Sequence, residues 1–183
     1  EKVVLKTDTG KANITPDGKR GYKVPQGMRG IFKQRMLLDG WPVADDAGFA
    51  SGLPLKVGLR EIMRSGKAFG LRDYQVEAAD RWFMDGAPQG GHGVVVLPCG
   101  AGKTVVALAA MARANTHTLI LCNNQSAVNQ WIREILDKTT LTEDEVGEYT
   151  GENKRIRPVT VATYQVLTWR RSKTSDYEHM HLF

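Results

Sequence analysis

The segment from Gly93 to Thr104, read as GVVVLPCGAGKT, constrains the fold of this chain more than any other. Four apolar residues, 94–97, suit a buried β-strand, and a tight turn with two glycines follows them. Lys103 and Thr104 then open a helical segment that continues from Val105 to Ala114. A strand, a glycine-containing turn and a helix in this order predict an α/β fold, in which backbone N–H groups and a helix N-terminus face one small space.

Such a space is a cradle for phosphate groups. A Cβ atom at Gly100 or Gly102 would obstruct the sharp turn and the close approach of the backbone to a phosphate. The Lys103 ammonium is expected to reach the β- and γ-phosphates, and the Thr104 hydroxyl to ligate Mg²⁺. Leu97 stands where the general pattern has its first glycine, and a glycine-rich turn without a ligand is the alternative. The Lys-Thr pair favours a nucleoside triphosphate, bound by Pro98, Cys99, Gly100, Ala101, Gly102, Lys103 and Thr104.

Composition is that of a globular protein with a hydrophobic core. Apolar residues make up 42% of the chain, and the mean hydropathy is -0.34. No apolar run approaches the roughly 20 residues that span a bilayer, and the start of the chain has no signal-peptide pattern. The two cysteines, Cys99 and Cys122, do not suggest a disulfide framework. We therefore expect a cytoplasmic protein without a membrane partner.

Basic residues are concentrated in the first third of the chain. Residues 1–66 contain twelve Lys or Arg against seven Asp or Glu, whereas residues 67–183 contain thirteen of each. A basic cluster interleaved with Tyr22 and Phe32 comprises Lys19, Arg20, Lys23, Arg29, Lys33 and Arg35. Such a cluster suits contacts to nucleic-acid phosphates. A solvated basic face without a partner explains the cluster equally well.

The first 66 residues read as a small α+β domain. Their patterns predict, in order, a hairpin with Gly10 in its turn, a short strand, a helix and a half-buried strand, over residues 3–15, 22–24, 26–39 and 53–59. The small polar stretch 64–68 marks the expected boundary. The predicted domains are therefore 1–66 and 67–183.

Helices and strands alternate beyond this boundary. Helices are predicted over 73–85, 105–114, 126–136 and 164–170, and strands over 94–97, 118–122 and 159–162. This alternation favours a parallel sheet with helices on both faces, which binds ligands at the carboxyl ends of its strands. The cradle, Asn123, Asn124 and Thr163 are therefore expected along one edge of the sheet.

Several segments together resemble the XPB-type repair helicases of superfamily 2, and the bacterial members in particular. They are LRDYQ (71–75), LPCGAGKT (97–104), the Gln130-Trp131 pair and VTVATYQVL (159–167). Their order and rough spacing are those of the family, and the resemblance covers most of the chain after Tyr22. It implies an incomplete RecA-like first motor lobe, preceded by a small domain that is thought to sense distorted DNA.

The resemblance also implies which residues bind nucleotide and DNA. Gln75 would read the adenine edge with Arg72 flanking the pocket, because an amide can donate and accept in one plane. The alternative for Gln75 is an ordinary exposed helix residue. The DNA backbone would be contacted by Asn123, Asn124, Gln130 and Thr163, whereas Trp131, on an apolar helix stripe, is better explained as a core residue. ATP and Mg²⁺ are the implied cofactors, DNA is the implied partner, and the implied location is the cytoplasm, at the nucleoid.

Members of this family also carry an Asp-Glu box that holds Mg²⁺, and a second motor lobe that supplies arginines. No Asp-Glu pair follows the third predicted strand here. We therefore expect this chain alone to bind ATP and hardly hydrolyse it, with the second lobe supplied in cis or in trans. The expected activity is that of an ATP-dependent DNA helicase. A duplex translocase of the restriction or remodelling type and a non-catalytic nucleotide- and DNA-binding module are the alternatives.

Overall fold

The chain folds as two units, Glu1–Asp46 and Ala47–Phe183, which are described separately. The computed structural model describes residues 3–7, 10–16, 22–24, 28–41, 43, 52–87, 90–172, 179 and 182. Within these residues, no helix is both long enough and apolar enough to cross a bilayer.

The described residues of the first unit form a three-stranded antiparallel sheet and one helix. Strand β1 (Val3–Thr7) pairs with β2 (Gly10–Pro16), which pairs in turn with β3 (Tyr22–Lys23). Helix α1 (Arg29–Leu38) follows, and Gly40 stands just beyond it at φ +84°. Glycine adopts this left-handed conformation without steric cost, so it ends the helix. The predicted hairpin, short strand and helix are confirmed.

A parallel three-stranded sheet forms the centre of the second unit. Its strands are β4 (Thr118–Cys122), β5 (Val146–Tyr149) and β6 (Val159–Thr163), in the spatial order β4-β6-β5. All five residues of β6 are buried. A central strand covered on both faces is expected to be apolar or small throughout, as this one is.

Helices cover both faces of this sheet. They are α3 (Lys103–Ala114), α4 (Gln125–Lys138) and the single turn α5 (Tyr164–Leu167), while α2 (Asp73–Phe83) packs on α3. On one face, Val161 packs in a core with Leu108 of α3 and Val128 of α4. On the other face, Ala162 packs with Val166 of α5. The predicted α/β fold is therefore confirmed.

Residues 94–97 do not form the predicted strand. The segment pairs with no strand of the described chain, and the side chains of Val94 and Val96 are 89% and 85% exposed. A strand requires a neighbouring edge to satisfy its N–H and C=O groups. The apolar pattern suits a buried strand, but it does not say which edge that strand would join.

Strand β5 was missed, because Gly147 and Glu148 weaken its β-strand pattern. Packing explains the glycine: a Cβ atom at Gly147 would lie 2.3 Å from the carbonyl oxygen of Arg155. Helix α5 was predicted as far as residue 170, but it ends at Leu167.

Residues 53–59 belong to the second unit and do not form the predicted regular strand. The Leu55 N–H donates to the Asn115 carbonyl at 2.8 Å, and Leu59 forms an isolated bridge opposite Thr139. Val57 is only 4% exposed and belongs to the main core. This stretch therefore contributes to the folding of the second unit, although it precedes the predicted boundary at residue 66. That boundary, as a division between functional domains, stays a prediction.

The stretch 64–68, where the domain boundary was predicted, is a tight turn bound to α4. The Ser65 N–H donates to the Asp137 carboxylate at 2.9 Å. This backbone hydrogen bond lowers the pKa of Asp137. The Arg64 guanidinium also forms an ion pair with Glu143 and lowers the pKa of that carboxyl. The turn is thus held to the lobe by charge-assisted contacts.

Candidate nucleotide and nucleic-acid sites

The phosphate loop leads into the N-terminus of α3, as predicted. Gly100 and Gly102 have φ values of +79° and +82°, which disfavour any residue with a Cβ atom. The Ala101 N–H donates to the Pro98 carbonyl at 3.3 Å, and Gly102 is the N-cap of the helix. The first N–H groups of α3 have no partner within the helix, so the loop and the helix end together suit an anion.

Lys103 and Thr104 stand at the start of α3. The exposed Lys103 donates from Nζ to the Pro98 carbonyl at 3.1 Å, and its ammonium keeps two further donors for phosphate oxygens. Thr104 is half-buried. No group of three or more His, Cys, Asp or Glu side chains suited to a metal occurs in the described part of the chain. The Thr104 hydroxyl suits Mg²⁺ that is otherwise ligated by phosphate and water.

Gln75 is buried against the phosphate loop and is only 5% exposed. Its Oε1 accepts the Arg72 N–H at 3.0 Å, and its Nε2 donates to the Ala101 carbonyl at 3.0 Å. The interpretation of Gln75 as an ordinary exposed residue is therefore wrong. One amide hydrogen and one lone pair remain for a ligand.

Tyr74 brings a second donor to the same carbonyl. Its hydroxyl donates to the Ala101 oxygen at 2.7 Å and accepts from Arg72 Nη1 at 3.1 Å. The C=O and N–H groups of a trans peptide point in opposite directions. Holding the Ala101 carbonyl toward α2 therefore turns the Gly102 N–H to the opposite side, away from α2. Sequence reasoning missed this role, for which the only signal was a hydroxyl next to Gln75.

Close packing of α2 on α3 fixes the position of Gln75. Ala79 and Ala109 are fully buried and form a small core cluster with Val106. Their short side chains let the two helix backbones approach each other. A Cβ atom at Gly102 would lie only 2.5 Å from Gln75 Nε2. Small residues on both sides thus allow the amide to reach the loop backbone.

The carboxyl ends of the strands bring the other predicted residues to one edge of the sheet. Asn123 and Asn124 follow β4, Thr163 ends β6, and Cys122 pairs with Thr163 across the two parallel strands. Gln165 Nε2 also donates to the Asn123 carbonyl at 2.9 Å, which links the two connections. The expectation that Asn123, Asn124 and Thr163 share an edge is confirmed, whereas the position of the phosphate loop at this edge stays a prediction, because residues 94–97 join no strand of the described sheet.

These residues differ in what they can offer a nucleic acid. Asn124 uses its Oδ1 to cap α4, accepting a backbone N–H at 2.8 Å, and Thr163 is only 8% exposed. Asn123 and Gln130 are exposed and are better placed for a contact. Trp131 packs against the main core, which confirms its interpretation as a core residue.

The basic cluster of the first unit is only partly described. Lys19 and Arg20 lie outside the described residues, and Lys23 lies in β3. The exposed Arg35 pairs with Asp39 at 3.0 Å, a helix-surface ion pair that contributes little to stability. The nucleic-acid role of this cluster therefore stays a prediction.

A second basic segment was missed. Residues 150–172 contain five basic side chains and only one acidic side chain, Glu152. The remainder of 67–183 contains eight basic and twelve acidic residues, so the equal totals for 67–183 conceal this basic segment.

Glu148 lies just before this segment. Burial raises the pKa of its carboxyl, but hydrogen bonds from Asn153, Gln125 and Thr150 outweigh the effect of burial and lower the pKa overall. The Glu148 carboxylate is thus held as an ion by its own neighbours.

The second unit is an α/β lobe that carries a phosphate-loop motif at the N-terminus of α3. The chain belongs to the family described as "Type III restriction enzyme, res subunit", which matches residues 68–183.

The chain is also similar to proteins called "DNA 3'-5' helicase XPB". It is 50% identical to the one from Mycobacterium tuberculosis over 155 residues, which are 85% of this chain and 26% of that protein. It is 50% identical to the one from Kineococcus radiotolerans over 170 residues, 93% of this chain and 28% of that protein. The chain thus spans about a quarter of the length of these relatives. The predicted resemblance to XPB-type helicases is confirmed.

A eukaryotic relative extends the similarity. The "TFIIH basal transcription factor complex helicase/translocase XPB subunit" of Trypanosoma brucei brucei is 39% identical over 109 residues, which are 59% of this chain and 11% of that protein.

Proposed function

We propose that this chain is the ATP-binding part of an ATP-dependent DNA helicase that acts in DNA repair in the cytoplasm, at the nucleoid. The observation that carries the proposal is a phosphate loop on the same lobe as a polar edge of the sheet. Hydrolysis at the loop, with Mg²⁺ held in part by Thr104, would move DNA along that edge once a second motor lobe in cis or in trans completes the enzyme. The relatives' names support this activity and a 3′-5′ polarity.

Adenine selection by Gln75 and Arg72 is part of this proposal. Losing a buried amide partner costs about 1–3 kcal/mol, or roughly 5- to 150-fold in affinity. Calorimetry should therefore compare ADP with GDP on the wild-type chain and on Gln75→Met, which keeps the side-chain volume. We expect the variant to lose its preference for ADP. If both nucleotides weaken equally, Gln75 only positions the loop and does not read the base.

DNA contacts are proposed for Asn123, Asn124, Gln130 and Thr163, and for the basic cluster of the first unit. Reversing Lys19, Arg20 and Lys23 to Glu should weaken binding to all DNA sequences alike and reduce its dependence on salt, because phosphate contacts release counterions. A matched control reverses three other basic residues, Lys56, Lys67 and Arg133. Equal losses in both variants would show a general charge effect and would assign the cluster to a solvated face.

This test needs the whole 183-residue chain. A protein shortened to begin at Lys67 would lose Val57, which is part of the main core of the second unit. Its failure to bind DNA would report unfolding and not the loss of a DNA contact.

The family description favours a second candidate, a duplex translocase of the restriction type. A helicase displaces both a paired strand and a triplex-forming strand, whereas a translocase displaces only the latter. Both assays should use the full-length protein, with 3′-tailed and 5′-tailed substrates for polarity. Triplex displacement without strand separation would favour the translocase. ATP binding without Lys103-dependent turnover would favour a non-catalytic module.

A further inference from the structure

A groove opens at the carboxyl ends of β5 and β6. Its volume is about 350 Å³, and its walls include Gly151, Lys154, Thr163, Gln165, Trp169 and His179. We call it the edge groove. Its described lining includes no residue of the phosphate loop, and a cavity of this size can take a small planar group.

Trp169 gives the edge groove an aromatic wall. The side chain is 48% exposed, although tryptophan is one of the largest apolar side chains. His179 lies beside it, with ring centroids 6.1 Å apart and planes inclined by 45°. His179 Nδ1 is in turn hydrogen-bonded to the Tyr149 hydroxyl at 2.8 Å. Trp169 therefore has an aromatic neighbour on one side, and about half of its side chain is exposed.

Lys154 supplies a cation on the same groove. Its ammonium contacts the Thr150 carbonyl and lies 5.0 Å from the centroid of the Tyr149 ring, so its position is defined. The ammonium has three donors, and the carbonyl accepts only one of them. The groove also lies within the basic segment 150–172, where Glu152 is the one acidic residue. The ligand that fits is anionic and carries a flat ring.

Each nucleotide of a single-stranded nucleic acid carries a negative charge and a flat ring, whereas a duplex hides the faces of its bases. We propose that the edge groove binds one unpaired base of a DNA strand, stacked on Trp169, with an adjacent phosphate near Lys154. The inference rests on the proposed function, in which DNA lies along this edge of the sheet. Gln165 lines the groove and donates to the Asn123 carbonyl, so the bound base is connected to the loop after β4.

The test compares two single strands of equal length and charge, oligo(dT) and the same strand with abasic sites. Binding to the 183-residue chain is measured by the anisotropy of a label on the DNA. Stacking of one base on an aromatic side chain changes affinity by about 5- to 150-fold. We expect the wild-type chain to bind oligo(dT) more tightly by a factor in this range.

Three variants assign this preference to the groove. Trp169→Leu should bind both strands equally, Trp169→Phe should keep most of the preference, and Trp41→Leu should behave as wild type. Trp41 is the matched control, because it is 69% exposed and lies in the first unit. Lys154→Gln should lower the slope of log affinity against log salt by about one for both strands.

The outcomes separate this inference from the proposed function. Tight binding with no preference between the two strands would overturn base stacking and leave DNA binding intact. A preference that survives Trp169→Leu would overturn the groove as the site. Absence of binding to either strand would overturn the proposed DNA binding, and the inference with it. Unchanged ADP affinity and melting temperature show that each variant is folded.

Discussion

The phosphate loop and the carboxyl edge of the sheet lie on the same lobe, but they are held in different ways. At the loop, Tyr74 and Gln75 both donate to one backbone carbonyl, that of Ala101. At the edge, exposed side chains such as Asn123 and Trp169 face solvent. A rigid scaffold gives high affinity for a ligand of constant shape, such as a phosphate chain. An open edge suits a polymer whose sequence varies.

The first test of this contrast asks whether DNA bound at the edge stimulates ATP hydrolysis at the loop within this chain. We predict that the 183-residue chain hydrolyses ATP near the background rate and that DNA does not stimulate it. An arginine finger alone contributes about 10³- to 10⁵-fold in comparable enzymes. Phosphate release should be measured with and without single-stranded DNA. Robust stimulation would point to a catalytic carboxylate among residues 143–145, 176 and 178.

Lys103→Ala should have the next largest effect. Loss of a charge-assisted hydrogen bond costs about 1.5–3 kcal/mol, so ATP and ADP should bind roughly 10- to 150-fold more weakly. Adenosine affinity and melting temperature should hardly change, because the Lys103 side chain is exposed. Calorimetry with adenosine, ADP and ATP checks this, and Lys67→Ala is the control. Equal weakening of adenosine would mean that Lys103 shapes the loop and does not bind phosphate.

The two glycines of the loop offer a matched pair. Gly100→Ala and Gly102→Ala both force a Cβ atom into a left-handed backbone, at a cost of about 1–2 kcal/mol. At Gly100 the new Cβ meets no atom of the described chain within 4 Å, whereas at Gly102 it lies 2.5 Å from Gln75 Nε2. Chemical denaturation should therefore show a greater loss of stability for Gly102→Ala, and ADP titration a greater loss of affinity. Equal losses would mean that Gln75 moves aside without consequence.

Tyr74→Phe removes one of the two donors to the Ala101 carbonyl. Since Gln75 still donates, we expect a loss of about 0.5–1.5 kcal/mol, or roughly 2- to 12-fold in ADP affinity. Adenosine should be affected less, because the Gly102 N–H is proposed to contact phosphate and not the base. The ratio of the two affinities is the measurement. A loss confined to adenosine would instead place Tyr74 in the base pocket.

The smallest expected effect concerns pH and the turn at Ser65. The Ser65 N–H lowers the pKa of Asp137 in the folded protein. Its contribution to stability is therefore present above the unfolded pKa and is lost as pH falls through the lower, folded pKa. When the pH is lowered below about 4, the melting temperature of Asp137→Asn should fall by less than that of the wild type. Asp85→Asn is the charge-matched control, and identical curves for all three proteins would reject this role of Asp137.

Local patterns in the sequence predicted much of the lobe, whereas contacts between distant segments could not be predicted. The apolar run of β4 and the stripe of α4 depend on neighbours in sequence, and both elements formed where expected. The unpaired state of 94–97 and the core position of Val57 depend on segments far along the chain. The same holds at the sites: Lys103 was predicted from a motif and stays a prediction, whereas the contact of Tyr74 with Ala101 spans 27 residues and was not predicted. No periodicity reports such a contact.

The exposed valines at 94 and 96 affect how this chain will behave in solution. An extended apolar segment outside any sheet of the described chain is a template for strand pairing between molecules. The 183-residue chain is therefore expected to self-associate as its concentration rises, even though its net charge of +5 opposes this. Raising the salt concentration weakens that repulsion, so dilute, low-salt buffers should keep the chain monomeric.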